Sequence, residues 1–204
     1  MGLVLYTARQ SRGFVCEWLL EELGATYEVV RLDLMAGEAK TAAYRRIHPL
    51  GSVPALVVDG KPMVESLAIC LFLADTSKTS LLAPSPASPE RQQYLQWMVY
   101  AVATIEPMLS KPFVRSLGVE PSLRPGVATD EERAALARVL APLREAMARG
   151  HVLPSGFSAA DVLIGSQLYW ASQVGLLSGL DGARGYLASM RARPACVKAL
   201  AHDR

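Results

Sequence analysis

Pro54 opens a short apolar run that continues to Val58, and a proline in that position constrains what the backbone can do. It has no N–H and a fixed φ, so at the head of a strand it either lies at an unpaired edge or serves the local chain geometry. With a cis Val53-Pro54 bond, the N–H and C=O of Val53 would turn towards solvent, where an extended peptide could pair with them as an added strand. The chemistry expected there is recognition of a peptide through its main chain. A trans proline beginning an ordinary strand is the alternative. Eleven positions on, Glu65 and Ser66 precede an apolar helical run; on residues alone they read as an exposed turn acid and a helix N-cap. The three cysteines, Cys16, Cys70 and Cys196, are odd in number, widely spaced and set in helix-like apolar contexts. They fit small core residues better than a disulfide framework or a metal site, and no metal is expected.

The elements that must position these residues follow the hydrophobic periodicity. Residues 2 to 6 suit a buried strand, and Thr7 to Gln10 make a polar break. From Ser11 the apolar positions Val15, Leu19, Leu20 and Leu23 recur at helical spacing until Gly24. Tyr27 to Leu32 reads as a second strand, and the mixed segment from Gly37 to Arg46 can carry a helix. Pro54 to Val58 is the third strand, Asp59-Gly60 a hairpin turn, Pro62 to Val64 the returning strand, and Leu67 to Asp75 a helix. The order βαβαββα implies a parallel pair through a right-handed crossover, followed by an antiparallel hairpin and a covering helix. It fits a thioredoxin-like domain.

After residue 77 the composition shifts to Ser, Thr, Ala and Pro, and strand signals vanish. The expected organisation is an α/β domain over 1–77, a linker over 78–89 and an all-helical domain over 90–204. In the helical part Tyr94, Trp97, Met98, Ala101, Ile105 and Met108 share a helical period that Pro107 should kink. Phe113 to Val127, rich in Pro and Gly, reads as a loop. Asp130 to Met147 reads as a helix interrupted at Pro142, and Ser158 with Asp161 forms a capping box before a further helix. Gly182 to Arg191 and Ala195 to Ala201 close the chain as two shorter helices.

The chain has 204 residues, 51% of them hydrophobic and 20% charged, with a formal net charge of +2. These values describe a globular protein and argue against disorder and against a nucleic-acid partner. No secretory pattern opens the sequence and no apolar run reaches the length of a membrane span, so a cytoplasmic protein without a membrane partner is expected.

Three separated stretches, YTARQSRGFVCEWLLEELG from Tyr6, IHPLGSVPALVVDG followed by VES from Ile47, and FSAADVLIG from Phe157, together resemble the cytosolic glutathione transferase superfamily, of bacterial type with a serine-like catalytic loop. The resemblance implies glutathione as substrate, a helical domain that shapes a pocket for a small hydrophobic electrophile, and a homodimer. It maps the family's cis proline to Pro54, pairs the backbone of Val53 with the cysteinyl part of glutathione, and gives Glu65 and Ser66 the γ-glutamyl end. Physically, a carboxylate answers the ammonium group, while a hydroxyl and the free amides of a helix N-terminus answer the carboxylate.

The same resemblance makes Ser11 the hydroxyl that stabilises the glutathione thiolate, with Thr7 and Tyr6 as alternatives. Arg9-Gln10-Ser11-Arg12 occupies the place where glutaredoxin-like relatives carry a cysteine pair, which argues against disulfide exchange through an enzyme thiol. Ser52 stands where many relatives have lysine or glutamine, so a contact to the glycine end of glutathione falls to Ser52 itself or to Arg12, Arg45, Arg46 or His48. Trp97, Tyr100, Thr104 and Met108 are the electrophile-pocket candidates, with core packing as their alternative. The expected activity is conjugation of glutathione to an electrophile for detoxification. A non-catalytic binding or regulatory protein on this fold, or a glutathione-dependent peroxidase, isomerase or dehalogenase, is the alternative.

Overall fold

The computed structural model describes residues 1–77 and 82–202, so residues 78–81 of the expected linker lie outside the described residues. The chain divides into two compact units, Met1–Ala83 with Arg193–Arg204, and Pro84–Ala192.

The first unit contains β1 (Leu3–Thr7), α1 (Gly13–Glu22), β2 (Glu28–Arg31), the single turn α2 (Ala42–Arg45), β3 (Ala55–Val58), β4 (Lys61–Val64) and α3 (Ser66–Thr76). Its sheet has the order β2-β1-β3-β4, with β1 parallel to β2 and antiparallel to β3, and β3 antiparallel to β4. This is the thioredoxin-like arrangement expected from the sequence. Asp59 and Gly60 both take positive φ, +47° and +81°, as a two-residue hairpin turn requires. Along β1, Leu3, Leu5 and Thr7 are buried while Val4 and Tyr6 are half-buried, so alternate side chains enter opposite faces. Leu5, Leu19, Leu20, Leu56 and Ile69 are fully buried, each contributing about 1.5–3 kcal/mol by leaving water.

The last helix, α10 (Pro194–His202), also belongs to this unit, whereas the sequence expectation grouped it with the helical domain. Charge explains its place. Three acids of α1 meet the basic groups of the C-terminal segment: Glu22 is held by Arg193 at 2.6 and 2.8 Å, Glu21 by Lys198 at 2.7 Å, and Glu17 by His202 at 2.9 Å. Glu17, 1% exposed, is also gripped by both terminal nitrogens of Arg31 at 2.7 and 3.2 Å.

The second unit is helical among its described residues. It contains α4 (Arg91–Tyr100), a π-helical segment (Ala101–Ile105), α5 (Pro107–Ser116), α6 (Asp130–Leu140), α7 (Arg144–Arg149), α8 (Ala159–Gln173) and α9 (Asp181–Arg191). The kink expected at Pro107 takes the form of that π segment, after which Pro107 sits at the first position of α5, where its missing N–H costs nothing. The expected loop from Phe113 is instead helix as far as Ser116, with Pro112 inside it, and a 3-10 turn over Pro121–Gly126. Pro142 separates α6 from α7 through a 3-10 turn. The capping box at α8 is present: Asp161 accepts from the Ser158 amide at 2.8 Å and from its hydroxyl at 3.0 Å.

Among the described residues no helix is long and apolar enough to cross a membrane, and no group of His, Cys, Asp and Glu could hold a metal ion.

Candidate functional site

Sheet register brings the predicted site together. Ala55 pairs with Tyr6 on one side and with Val64 on the other. Pro54 and Val53 immediately precede that paired residue, as Thr7 follows Tyr6 and Glu65-Ser66 follow Val64. The Val53-Pro54 bond is cis, the isomer expected. Because β3 begins only at Ala55, Val53 stands ahead of the ladder, half-buried, and its amide and carbonyl make no hydrogen bond among the described residues. A backbone donor and acceptor left open beside two other segments can accept a peptide as a further short strand.

On one flank Glu65 leads into α3 with φ +73° and ψ 110°. That conformation favours glycine, and a glutamate there stores about 1–3 kcal/mol of backbone strain. Its side chain is exposed and takes no partner among the described residues, and the hydroxyl of half-buried Ser66 is likewise uncommitted. A free carboxylate, a free hydroxyl and the open amides of the first turn of α3 thus share one corner, suited to a group carrying both an ammonium and a carboxylate.

On the other flank the three hydroxyls differ in what they already do. Ser11 Oγ donates to the Ala8 carbonyl at 2.7 Å and accepts from the Gly13 amide at 3.1 Å and, more weakly, from the Ala8 amide at 3.4 Å. It therefore shapes the loop and caps α1 from within. Thr7 is 1% exposed, and a Cβ placed on Gly13 would lie 1.7 Å from Thr7 Oγ1, so the start of α1 presses directly on it. Tyr6 lies on the opposite face of β1, with its ring 5.7 Å from that of Tyr44, and its hydroxyl has no partner among the described residues. Arg12 is exposed at the N-cap position of α1.

Behind Val53, Ser52 is exposed and its carbonyl accepts a 2.6 Å bond from the Tyr44 hydroxyl. Lys40 Nζ donates to the Gly51 carbonyl at 2.9 Å and reaches that of Leu50 at 3.4 Å. Sequence reasoning missed Lys40 and Tyr44, because both act through a fold that brings residues 40–44 against 50–52. His48 is buried, stacks on Tyr44 with centroids 6.4 Å apart, and its Nδ1 has no hydrogen-bond partner among the described residues. Its burial marks it as part of the loop's support rather than an open cation, while Arg45 and Arg46 are exposed on and just after α2.

The electrophile-pocket candidates lie in the second unit. Trp97 is 6% exposed and meets Tyr100 edge-on at 5.3 Å, and the Tyr100 hydroxyl donates to the Val139 carbonyl at 2.8 Å. Those contacts give both residues a role within the helical core. The indole N–H of Trp97 has no acceptor among the described residues. Thr104 and Met108 are half-buried, on either side of the junction between the π segment and α5.

Comparison with known proteins points the same way. Residues 1–75 match the family model of the glutathione S-transferase N-terminal domain. Glutathione S-transferase GstA of Escherichia coli O157:H7 is 30% identical over 193 residues, spanning 90% of this chain and 90% of that protein. Glutathione S-transferase 3 of Schizosaccharomyces pombe is 32% identical over 117 residues, 57% of this chain and 48% of that protein, so the match spans about half the relative's length. Among solved structures, the glutathione transferase URE2P6 of Phanerochaete chrysosporium, in complex with oxidised glutathione, has a TM-score of 0.82 at 23% identity, covering 98% of this chain and 96% of its own. That last likeness is one of fold.

Proposed function

Since the chain belongs to the glutathione S-transferase family, we propose that it binds glutathione along Val53 and stabilises the thiolate for attack on a small hydrophobic electrophile. The observation that carries this reading is the unpaired backbone of Val53, two residues before Ala55, which the sheet pairs with Tyr6 on one side and with Val64, just ahead of Glu65-Ser66, on the other. The cysteinyl amide and carbonyl of glutathione pair with Val53. The γ-glutamyl ammonium goes to Glu65, and its carboxylate goes to the Ser66 hydroxyl and the first turn of α3. Ser52, with Lys40 close behind it, and Arg12 face the glycine end.

In this reading Ser11 supplies the hydrogen bond to sulfur. Its oxygen already accepts from the Gly13 amide at the positive end of α1, which makes its own proton a better donor. Only the hydroxyl hydrogen has to swing from the Ala8 carbonyl to the sulfur; Oγ stays in place. The thiol proton leaves to solvent, and the sulfur lone pair forms the new bond to the electrophile. Tyr6 is the second reading, because its hydroxyl is uncommitted. Trp97, Tyr100, Thr104 and Met108 remain the proposed surroundings of the electrophile, and the working form is a cytoplasmic homodimer, checked by light scattering.

The test is calorimetric titration with glutathione, followed by conjugation assays and thiolate ultraviolet absorbance on Ser11→Ala, Thr7→Ala and Tyr6→Phe. Loss of the thiolate band and of about 10²-fold in kcat in Ser11→Ala alone supports the first reading, and the same loss in Tyr6→Phe alone transfers the role. Absence of any heat or thermal shift at millimolar glutathione rejects the whole assignment.

A further inference from the structure

The Ser52 carbonyl and the Val53 amide belong to one planar trans peptide group, since the cis bond of this segment is the next one along. Whatever fixes the direction of that carbonyl also fixes the N–H on the opposite edge. Here the carbonyl is held by a side chain, the hydroxyl of Tyr44 at 2.6 Å, while the amide has no partner among the described residues. Donation into a peptide oxygen also polarises the group and strengthens its N–H as a donor.

Tyr44 is itself held rigidly. It is 4% exposed, its ring lies between those of Tyr6 and His48, and its own amide is capped by Thr41 Oγ1 at 3.3 Å. Its carbonyl takes the amides of Ile47 and His48 at 2.8 and 2.9 Å, and the His48 carbonyl takes that of Gly51 at 2.8 Å. The loop leading to Ser52 is therefore wound around this one residue. Gly51, at φ +60°, packs so closely on Ala39 that a Cβ would lie 2.3 Å from its carbonyl oxygen. Between that contact and the first ladder bond of β3, the Tyr44 hydroxyl is the anchor of the Ser52-Val53 peptide. Burial, and then Tyr6, push the Tyr44 phenol up to about 12, so it keeps its proton and goes on donating at neutral pH.

We propose that Tyr44 is a positioning residue for glutathione, acting through the Ser52-Val53 peptide to aim and polarise the Val53 N–H towards the cysteinyl carbonyl. This rests on the reading that glutathione pairs with Val53. The Tyr44 ring keeps its stack when only the hydroxyl is removed, so Tyr44→Phe isolates the bond. In that variant the Ser52 carbonyl, close to the surface, turns to water and the peptide plane is released.

Glutathione affinity and KM should each weaken about fivefold to tenfold in Tyr44→Phe, with kcat at saturation within about twofold of the parent protein. The amide resonance of Val53 should also shift in the free protein. A glutathione analogue with the cysteinyl carbonyl reduced to methylene supplies the second arm. It should lose affinity for the parent protein and lose distinctly less for Tyr44→Phe, a coupling that general loosening of the fold would not produce. If the parent protein binds glutathione and Tyr44→Phe binds equally well, or the two losses simply add, the positioning role is overturned while the glutathione reading stands. If the parent protein does not bind, the underlying reading has failed instead.

Discussion

Tyr186 donates a 2.7 Å hydrogen bond to Oδ1 of Asp161, a carboxylate with no solvent exposure that also accepts from the Val152 amide at 2.7 Å. With the two bonds from Ser158 on Oδ2, this side chain ties the start of α8 to the Val152 segment and to α9. Removing it leaves several buried donors unanswered. Asp161→Ala should destabilise the protein by about 3 kcal/mol or more, read as a lower urea midpoint, and Tyr186→Phe by about 1 kcal/mol. A Tyr186→Phe loss equal to that of Asp161→Ala would mean the phenol, not the carboxylate, organises the junction.

Glu65 holds a backbone conformation that glycine takes without strain. Glu65→Gly should therefore raise thermal stability, or at worst leave it unchanged, by relieving up to about 1–3 kcal/mol set against the flexibility glycine adds to the unfolded chain. The same change removes the carboxylate proposed to meet the γ-glutamyl ammonium, so affinity for glutathione should fall about tenfold or more. Opposite signs in melting and titration would place the strain in the service of binding; a fall in both would assign Glu65 a structural role.

Gly13 leaves no room for a side chain against Thr7. Thr7 is buried and β-branched, so it cannot swing clear. Gly13→Ala should cost about 1–3 kcal/mol and displace the Ala8–Ser11 loop, lowering conjugation activity more than glutathione affinity. Affinity and kcat falling together would show that the displacement reaches Val53.

Slight burial pushes the Glu132 carboxyl up, but the Thr129 amide at 2.9 Å and the Arg115 guanidinium at 2.5 Å pull it further the other way, leaving it below the usual glutamate range. A depressed folded-state pKa contributes stability above the unfolded value, and this is lost as pH falls through the folded one. The stability difference between the parent protein and Glu132→Gln, about 1 kcal/mol at neutral pH, should shrink as the solution is acidified below the ordinary carboxylate range. A difference that stays constant from neutral to acid would show that the capping geometry alone, not the charge, matters.

What the sequence makes legible here is whatever local periodicity or turn chemistry specifies. Alternation along β1, the Asp59-Gly60 hairpin and the Ser158–Asp161 box each appear where their residues place them. Pro54 and the Glu65-Ser66 pair stand out only through the family resemblance, since on residue type alone they read as a strand-opening proline, a turn acid and a helix cap. Tyr44 and Lys40 carry none until residues 40–52 fold onto one another, and a mixed segment with no clear period conceals that contact. Proline and glycine density misled the reading of Phe113 to Ser116 as loop, since the prolines that suggested it, Pro121 and Pro125, lie further on in the 3-10 turn, while Pro112 is absorbed into a helix whose Leu109 is also buried. The place of α10 depends on ion pairs between residues 171 to 185 positions apart, which no local pattern can reveal.

Those ion pairs have a consequence for synthesis. The acids at Glu17, Glu21 and Glu22 are made before the helical unit, yet the bases that meet them, Arg193 and two residues of α10, follow only after that whole unit has been translated. On the ribosome the nascent α1 must carry three negative charges without those partners, Glu17 having only Arg31 to answer it. The outer side of α1 is thus completed by a segment made after the helical unit, so that of the two units the one begun earlier closes later.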